Sequence, residues 1–576
     1  MKKDLNLMVA GPQGSGINFT SDTFAKVMAR QGYYVYTNAE LFSTIKGDHS
    51  YFRVRVSDQK IESYSERVDI LIPLDAKSVI IHKGEVSEDG MIISEEKVDD
   101  KRFATISYRK ILESVATKFN KNVSELNVMK NTVSLAAALK IVGIESKNLK
   151  DVITENFASR KIIAEMNNAV VDEVYNEFSF NKTFSLPPVE KKKRMLINSA
   201  EAVGMGKVLA GMKFQSYYPI TPASDESNYL ETLMDKHGFV VEQTEDEIAA
   251  INMAIAAANT GLRSSTSTSG PGFDLMVEAL SYSGMTETPV VIFYYQRAGP
   301  STGMPTRHEQ GDLKFATTAS HGEFPRVILT PGDNTEAFYD AVDSFNIAEH
   351  YQLPVIVLLD KSMAMSNTTT EVFDLSGVRI DRGKLVLNET SNYKRYKLTE
   401  DGISPRTVPG VKGGIFTIAG DEHEEDGHIF SEDPDNRIIM MNKRMGKMNL
   451  ILKEIGEDKK VKFYGKLENK KVILSWGSPK GAIKDALESF PDISFLQVRM
   501  IEPFPSEEVM KYLKGKYVID IEQNYSGQLA DLLREKTGIV VDSRILKFNG
   551  RPMAYEELMD AIKKAQTEKK VVLSYA

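Results

Sequence analysis

The sequence predicts a multidomain α/β protein on three observations. Apolar runs of strand length recur along the chain, bounded by turn residues and followed by stretches with helical spacing. The first of them, LNLMVAG, enters a glycine loop and then a helix-patterned segment. The length, 576 residues, exceeds what a single core organises.

Taken in order, GPQGSG (11–16) is the glycine loop, and Ile17, Phe24 and Met28 recur at helical spacing after it, with Gly32 as a C-cap. YFRVRV (51–56) and DILIPL (69–74) read as further strands, and 128–142 reads as a helix. LPPVEKKKRM (186–195) joins a proline pair to a basic run, which reads as a solvated linker. The first domain is therefore expected at 1–186, with the linker at 187–195. A second α/β block is expected at 196–365, with apolar strands at 290–295 and 355–359. The tract 366–467 is rich in charge, glycine and turn residues, with weak periodicity, and reads as a connecting region. In 468–576, KKVILSWGS and KYVIDIEQN read as strands and AIKDALESF as a helix.

Composition narrows the chemistry. Lys+Arg 72 against Asp+Glu 80 gives a net charge of −8, which lends little support to binding nucleic acid or an anionic membrane. The cysteine count is zero, so the chain forms no disulfide and supplies no thiolate to an iron–sulfur or zinc site. Metal–sulfur redox chemistry would fall to another polypeptide. MKKDLNLMVAGPQGSG has too short an apolar run for a signal peptide, and no segment reaches the ~18 apolar residues of a membrane span. A soluble cytoplasmic protein is expected.

Several motifs carry chemistry. GPQGSG sits where a dinucleotide fingerprint would, but its spacing is G-x-x-G-x-G, which fits a tight strand-to-helix turn or an interface turn better than NAD. YYPITPAS (217–224) stiffens the backbone on both sides of Thr221, since each proline fixes φ and restrains the residue before it. EQTEDEIAAINMAIAAANTG (242–261) sets carboxylates ahead of a small-residue helix. Glu247 either serves the helix dipole or projects into an apolar cleft, where a carboxylate gains catalytic use. TSTSGPGFDLMVEAL (266–280) reads as a hydroxyl- and glycine-rich loop entering a helix, either a site for an anion or carbonyl oxygen or a capped turn. QRAGPSTGMPTRHEQGDL (296–313) gathers Arg297, Ser301, Thr302, Thr306, Arg307 and His308 after a buried strand, at the edge where α/β proteins bind ligands.

These segments, in this order and with HGEFPR downstream, resemble the α subunit of 2-oxoacid:ferredoxin oxidoreductases. GISPRTVPG (402–410), DEHEEDGHIF (421–430) and KRMGK (443–447) resemble that subunit's connecting region. IEPFP (501–505) and IEQNYSGQL (521–529) resemble its transketolase-C-like domain. The N-terminal block resembles the family's γ domain, fused ahead of α as in archaeal-type two-subunit enzymes. The resemblance implies a γ-type domain, then a pyrimidine-type thiamine-diphosphate domain, then the connecting region and the transketolase-C-like domain.

It also implies an activity: oxidative decarboxylation of a 2-oxoacid with coenzyme A, passing two electrons through a [4Fe–4S] cluster to ferredoxin. The β subunit of such enzymes holds Mg²⁺, the diphosphate and the cluster. This chain has no cysteine and no GDG…N motif, and its role would be the pyrimidine-side wall of a shared site. Glu247 matches the glutamate that hydrogen-bonds N1′ of the aminopyrimidine and favours the imino tautomer, which takes up the thiazolium C2 proton; Glu245 is the fallback. Thr221 matches the threonine presented to the substrate's carboxylate and keto group, with Pro219 and Ile220 beside the cofactor. Arg307 is the first choice for the substrate carboxylate, by bidentate fit, and Arg297 the second. Ser301 and Thr302 are further contacts.

Three departures stand out. Ala223 replaces the first serine of the family's YPITPSS, the γ-domain loop GPQGSG is poorer in glycine than the family's, and its later RGG-type turn appears as KGD (46–48). They leave open any γ-domain role in receiving coenzyme A. The alternatives are a non-catalytic paralogue acting as a structural or assembly partner, and an NAD-dependent dehydrogenase. Pyruvate, 2-oxoglutarate and branched 2-oxoacids share the groups that α would read, so the preferred substrate is not legible here.

Overall fold

The computed structural model describes residues 4–42, 49–95, 98–179, 183–429 and 432–574; the KGD turn at 46–48 lies outside them. The chain forms two compact units. One comprises residues up to Ile197 with 366–372 and 554–556, the other 198–365, 373–553 and 557 onward.

In the first unit, strand Asp4–Pro12 lies inside an eight-stranded sheet, antiparallel to His49–Ser57 and parallel to Val68–Pro73. Its side chains alternate between two cores. Leu5, Leu7 and Val9 pack with the helices Ile17–Arg30 and Lys130–Val142, whereas Met8 and Ala10 join Leu71 and Ile92. The GPQGSG loop is a tight turn. Gly16 has φ +91°, and a Cβ there would stand 2.0 Å from the amide nitrogen of Asn131, which itself donates to the Ser15 carbonyl at 2.8 Å. Strands Thr368–Thr370 and Met195–Ile197 extend this sheet past Tyr34–Glu40. The unit thus takes in residues beyond the 1–186 boundary expected from the proline pair, because backbone pairing between distant segments leaves no trace in composition.

The second unit contains two sheets. Strands Val240–Gln243, Phe214–Tyr217, Ser264–Thr268, Val290–Gln296, Pro354–Asp360 and Val327–Leu329 run parallel in that order, with Met500–Glu502 antiparallel at one edge. The six-stranded sheet is built on Lys471–Ser475, Ile493–Val498 and Tyr517–Glu522. One apolar cluster links the two, joining Ile292, Ile356 and Leu358 to Val472, Leu474 and Trp476. Strand Ser264–Thr268 differs from the loop expected at its end. It is five hydroxyl residues, all buried, and it escapes an apolar-run reading because hydroxyls stand where apolar side chains would: Ser264 donates to the Ala254 carbonyl at 2.6 Å and Ser265 to Gln215 at 2.9 Å, while Thr266 Oγ1 has no partner among the described residues. No helix among the described residues is long and apolar enough to cross a membrane.

Within the connecting tract, helix Pro434–Glu454 runs for 21 residues where periodicity was weak. Its buried face carries Lys443, Arg444 and Lys447, so hydrophobic spacing cannot reveal it. Lys443 and Lys447 each donate to the Glu287 carboxylate at 2.5 Å, and Glu287 is fully buried. Burial alone would raise that carboxyl, but the two ammonium groups outweigh it and hold it well below the ordinary range.

Removing one side of a buried ion pair strands the other. Glu287→Ala should therefore cost about 3–5 kcal/mol, measured by chemical denaturation, while a Glu287→Met/Lys443→Met/Lys447→Met triple variant recovers most of that loss.

Candidate active site

Three parallel strands of the second unit release their loops on one edge, the carboxyl ends where ligands bind in such sheets. Strand Phe214–Tyr217 leads to Pro219, Ile220 and Thr221, of which Pro219 and Thr221 are exposed. The Thr221–Pro222 peptide is cis. Ala223 is fully buried at the entry to helix Ser224–Glu231, so the extra hydroxyl of a serine would need its own partner there.

Helix Glu247–Asn259 decides between the two readings of its first residue. Asp246 is the N-cap, accepting from the Ala249 N–H at 2.7 Å, so the helix has its cap without Glu247. Glu247 is 5% exposed, and burial pushes its carboxyl above the ordinary range, with Asp246 adding to the rise and Arg297 opposing it. Glu245 is exposed. Glu247 is seated by a glycine that sequence reasoning did not single out: a Cβ on Gly272 would stand 2.5 Å from Glu247 Oε1 and 2.2 Å from Thr268 Oγ1. The signal was the GPG after the hydroxyl strand. Ser269, the N-cap of helix Gly270–Met285, is fully buried, and its hydroxyl has no partner among the described residues.

The loop after strand Val290–Gln296 doubles back on itself. The Met304 N–H donates to the Ala298 carbonyl at 2.9 Å and the Ala298 N–H to the Arg307 carbonyl at 3.1 Å. Ser301 and Thr302 lie at the exposed tip. Arg297 donates through Nη1 to the Thr221 carbonyl at 2.9 Å, is 8% exposed, and its Nε has no partner among the described residues. Desolvation lowers its pKa, with Glu247 opposing. Thr221, Glu247 and Arg297 therefore share one neighbourhood. Arg307 is also buried, with its stem against Gly550: a Cβ there would be 3.0 Å from Arg307 Cβ. Two carboxyls of this loop that the sequence reading passed over, Glu309 and Asp312, are pushed up by burial to about 7 and about 6.

The C-terminal sheet fixes this loop. The Gln310 N–H donates to the Gln523 carbonyl at 2.7 Å, Asn524 Nδ2 to the Gln310 carbonyl at 3.2 Å, and the His308 N–H to the Gly550 carbonyl at 3.0 Å. The IEQN stretch, met first as a motif, supplies the first two of these anchors, and Gly550 the third.

Comparison with known proteins places this geometry among relatives. Residues 205–443 match the family model "Pyruvate flavodoxin/ferredoxin oxidoreductase, thiamine diP-bdg", and 6–177 match "Pyruvate ferredoxin/flavodoxin oxidoreductase". The chain is 40% identical to a 2-oxoacid:ferredoxin oxidoreductase subunit alpha from a Sulfolobus species, over 99% of this chain and 98% of the relative. It is 39% identical to the subunit of the same name from Saccharolobus solfataricus, over 99% of both. Among solved structures it resembles the 2-oxoglutarate:ferredoxin oxidoreductase from Magnetococcus marinus with 2-oxoglutarate, coenzyme A and succinyl-CoA bound. That match has 30% identity and a TM-score of 0.89, and it covers 98% of this chain and 100% of the other.

A carboxyl whose pKa is raised by folding costs stability once pH exceeds its unfolded value. Glu247→Gln should therefore melt at or above the wild-type temperature at pH 8, with the gap closing toward pH 4. A variant that melts well below wild type at pH 8 would show Glu247 to be a structural residue.

Proposed function

The chain belongs to the 2-oxoacid:ferredoxin oxidoreductase α-subunit family, and we propose that it supplies the substrate-reading half of a thiamine-diphosphate site completed by a β subunit. The reaction is oxidative decarboxylation: a 2-oxoacid and coenzyme A give an acyl-CoA, CO₂ and a proton, and two oxidised ferredoxins each take one electron. We assign Mg²⁺ and the [4Fe–4S] cluster to the β subunit, because this chain has no cysteine to ligate a cluster. The assembly is assigned to the cytoplasm. We divide the chain into a γ-type domain, a pyrimidine-type domain, a connecting region and a transketolase-C-like domain, along the boundaries read from the sequence.

The observation that carries this reading is a buried carboxyl, Glu247, that its helix does not need as a cap and that lies beside Thr221 and a guanidinium with an unmet N–H. These residues fit the aminopyrimidine end of thiamine diphosphate: a carboxyl raised by burial can share a proton with a ring nitrogen, and Gly272 leaves the space for Glu247. When bound, the cofactor supplies the carbon nucleophile and the electron sink for loss of CO₂.

The chain's own residues do the rest. Glu247 holds a proton at its carboxyl oxygens. Thr221, exposed at the strand edge, offers its hydroxyl to the substrate's keto or carboxylate oxygen. Arg297 orders the Thr221 carbonyl through Nη1 and turns its remaining N–H groups to the substrate carboxylate, which makes it our first candidate, ahead of Arg307. Ser301 and Thr302 close over the mouth, and Pro219 with Ile220 forms an apolar wall that limits water. Ile248, Met253 and Leu275 stay partly exposed on the two helices that hold Glu247 and its glycine seat, and we assign that apolar face to the β subunit.

In the reconstituted αβ complex, Glu247→Gln should abolish 2-oxoacid-dependent ferredoxin reduction while leaving assembly intact; near-normal turnover would sink the assignment. Arg297→Ala should raise KM for the 2-oxoacid, but not for coenzyme A, by the equivalent of about 2–5 kcal/mol. If Arg307→Ala does so instead, the two arginines exchange roles.

A further inference from the structure

Beneath the three site loops lies a fully buried carboxylate that no step above uses. Glu226, on helix Ser224–Glu231, is 0% exposed and five residues past Thr221. Its Oε1 accepts from Ser267 Oγ at 2.9 Å, from Gln215 Nε2 at 3.1 Å, and from Lys207 Nζ. Its Oε2 accepts from the Tyr295 hydroxyl at 2.9 Å. Lys207, equally buried on helix Ser199–Leu209, also donates to Gln215 Oε1 at 2.6 Å and lies over the Phe293 ring.

The placement of these partners carries the argument. Gln215, Ser267 and Tyr295 sit on three adjacent parallel strands, Phe214–Tyr217, Ser264–Thr268 and Val290–Gln296. Each stands one or two residues before its strand ends. The loops that follow carry Thr221, the Ser269–Gly272 seat of Glu247, and Arg297. A side chain that accepts from four donors at once must be a carboxylate, since an amide has one oxygen and a hydroxyl one. A buried carboxylate with its cation is also costly to leave half-made, so every strand is held to it.

We infer that Glu226 is a positioning residue for 2-oxoacid recognition: it sets the spacing of Thr221, the Glu247 seat and Arg297 by tying their three strands to one point. The inference rests on the site reading above. The strand edge is the layer that reads the substrate's carboxylate and keto groups, so loosening the tie weakens 2-oxoacid binding selectively.

Tyr295→Phe removes one donor to Glu226 and fills the same volume. In the αβ complex it should raise KM for the 2-oxoacid about tenfold, the scale of one lost hydrogen bond to a charged group, with KM for coenzyme A close to wild type and a modestly lowered melting temperature, because Glu226 Oε2 loses a buried donor. Glu226→Gln, which keeps the volume and one acceptor oxygen, should impair 2-oxoacid KM less than Glu226→Ala, which keeps neither. The readout stays interpretable if Glu226→Ala fails to fold, because Tyr295→Phe tests the same tie. Unchanged 2-oxoacid KM in Tyr295→Phe, or equal rises for both substrates, overturns the positioning role. Thr221→Ala and Arg297→Ala run alongside: if they raise 2-oxoacid KM and Tyr295→Phe does not, the positioning role falls alone, and if none does, the site reading falls first.

Discussion

A carboxylate taken out of water must be paired, and the second unit is assembled around carboxylates that are. Glu287 receives Lys443 and Lys447. Glu349 receives Arg263 at 2.7 Å and Arg406 at 2.8 Å, and Glu336 receives Lys480 at 2.6 Å and Gln497 at 2.7 Å. Glu287, in the turn before strand Val290–Gln296, meets lysines of the connecting tract; Glu349 joins Arg263 of the central sheet to Arg406 of that tract; and Glu336 meets Lys480 and Gln497 of the C-terminal region. Such pairs add little net stability over apolar packing, but they penalise every arrangement that leaves a charge unmatched. Their chief effect is on which arrangement forms, and they dictate where the irregular tract 373–429 and the helix Pro434–Glu454 can lie.

The same constraint reaches the site through its loops. A loop at the carboxyl edge of a parallel sheet has free backbone groups and little packing of its own. The stretch 297–312 gains its order from its own reversal and from Gln310, whose backbone is held at both ends by Gln523 and Asn524. Glu522 supports that anchor in turn. It accepts from Trp476 Nε1 at 3.0 Å and Asn524 Nδ2 at 2.8 Å, and from the Leu529 N–H at the start of helix Gln528–Thr537 at 2.7 Å. The C-terminal sheet thus contributes order to the loop that carries Arg297 and Arg307.

Legibility in the sequence followed polarity. Strands buried among apolar neighbours, such as Val290–Gln296 and Pro354–Asp360, announced themselves as apolar runs, and the glycine loop at 11–16 announced a turn. Elements buried among polar neighbours did not. Helix Pro434–Glu454 turns lysine and arginine inward, and strand Ser264–Thr268 is all hydroxyl, so both defeat a hydrophobic pattern although the strand is buried throughout and the helix along one face. The site was legible as an ordered set of motifs; the grouping of Arg297 with Thr221 was not, because two arginines ten residues apart on one loop look equivalent until the loop folds back. Gly272 was invisible for a related reason: its value lies in what a Cβ would strike.

Glu247 and Arg297 are both buried, and each acts on the other's charge. Opposite charges within each other's influence, both desolvated, would ordinarily form an ion pair, as Glu287 and Glu349 do elsewhere in the unit. Here no ion pair joins them among the described residues: Arg297 spends Nη1 on the Thr221 carbonyl and keeps Nε unmet, while Glu247 is held back against Gly272. Each perturbs the other's proton affinity without satisfying it. Two groups kept apart in this way retain their capacity for hydrogen bonds to a ligand, so the unmet N–H and the raised carboxyl are parts of one design. The fold bears their desolvation in the free chain; on the reading proposed above, the cofactor's ring nitrogen relieves Glu247 and the substrate's carboxylate relieves Arg297.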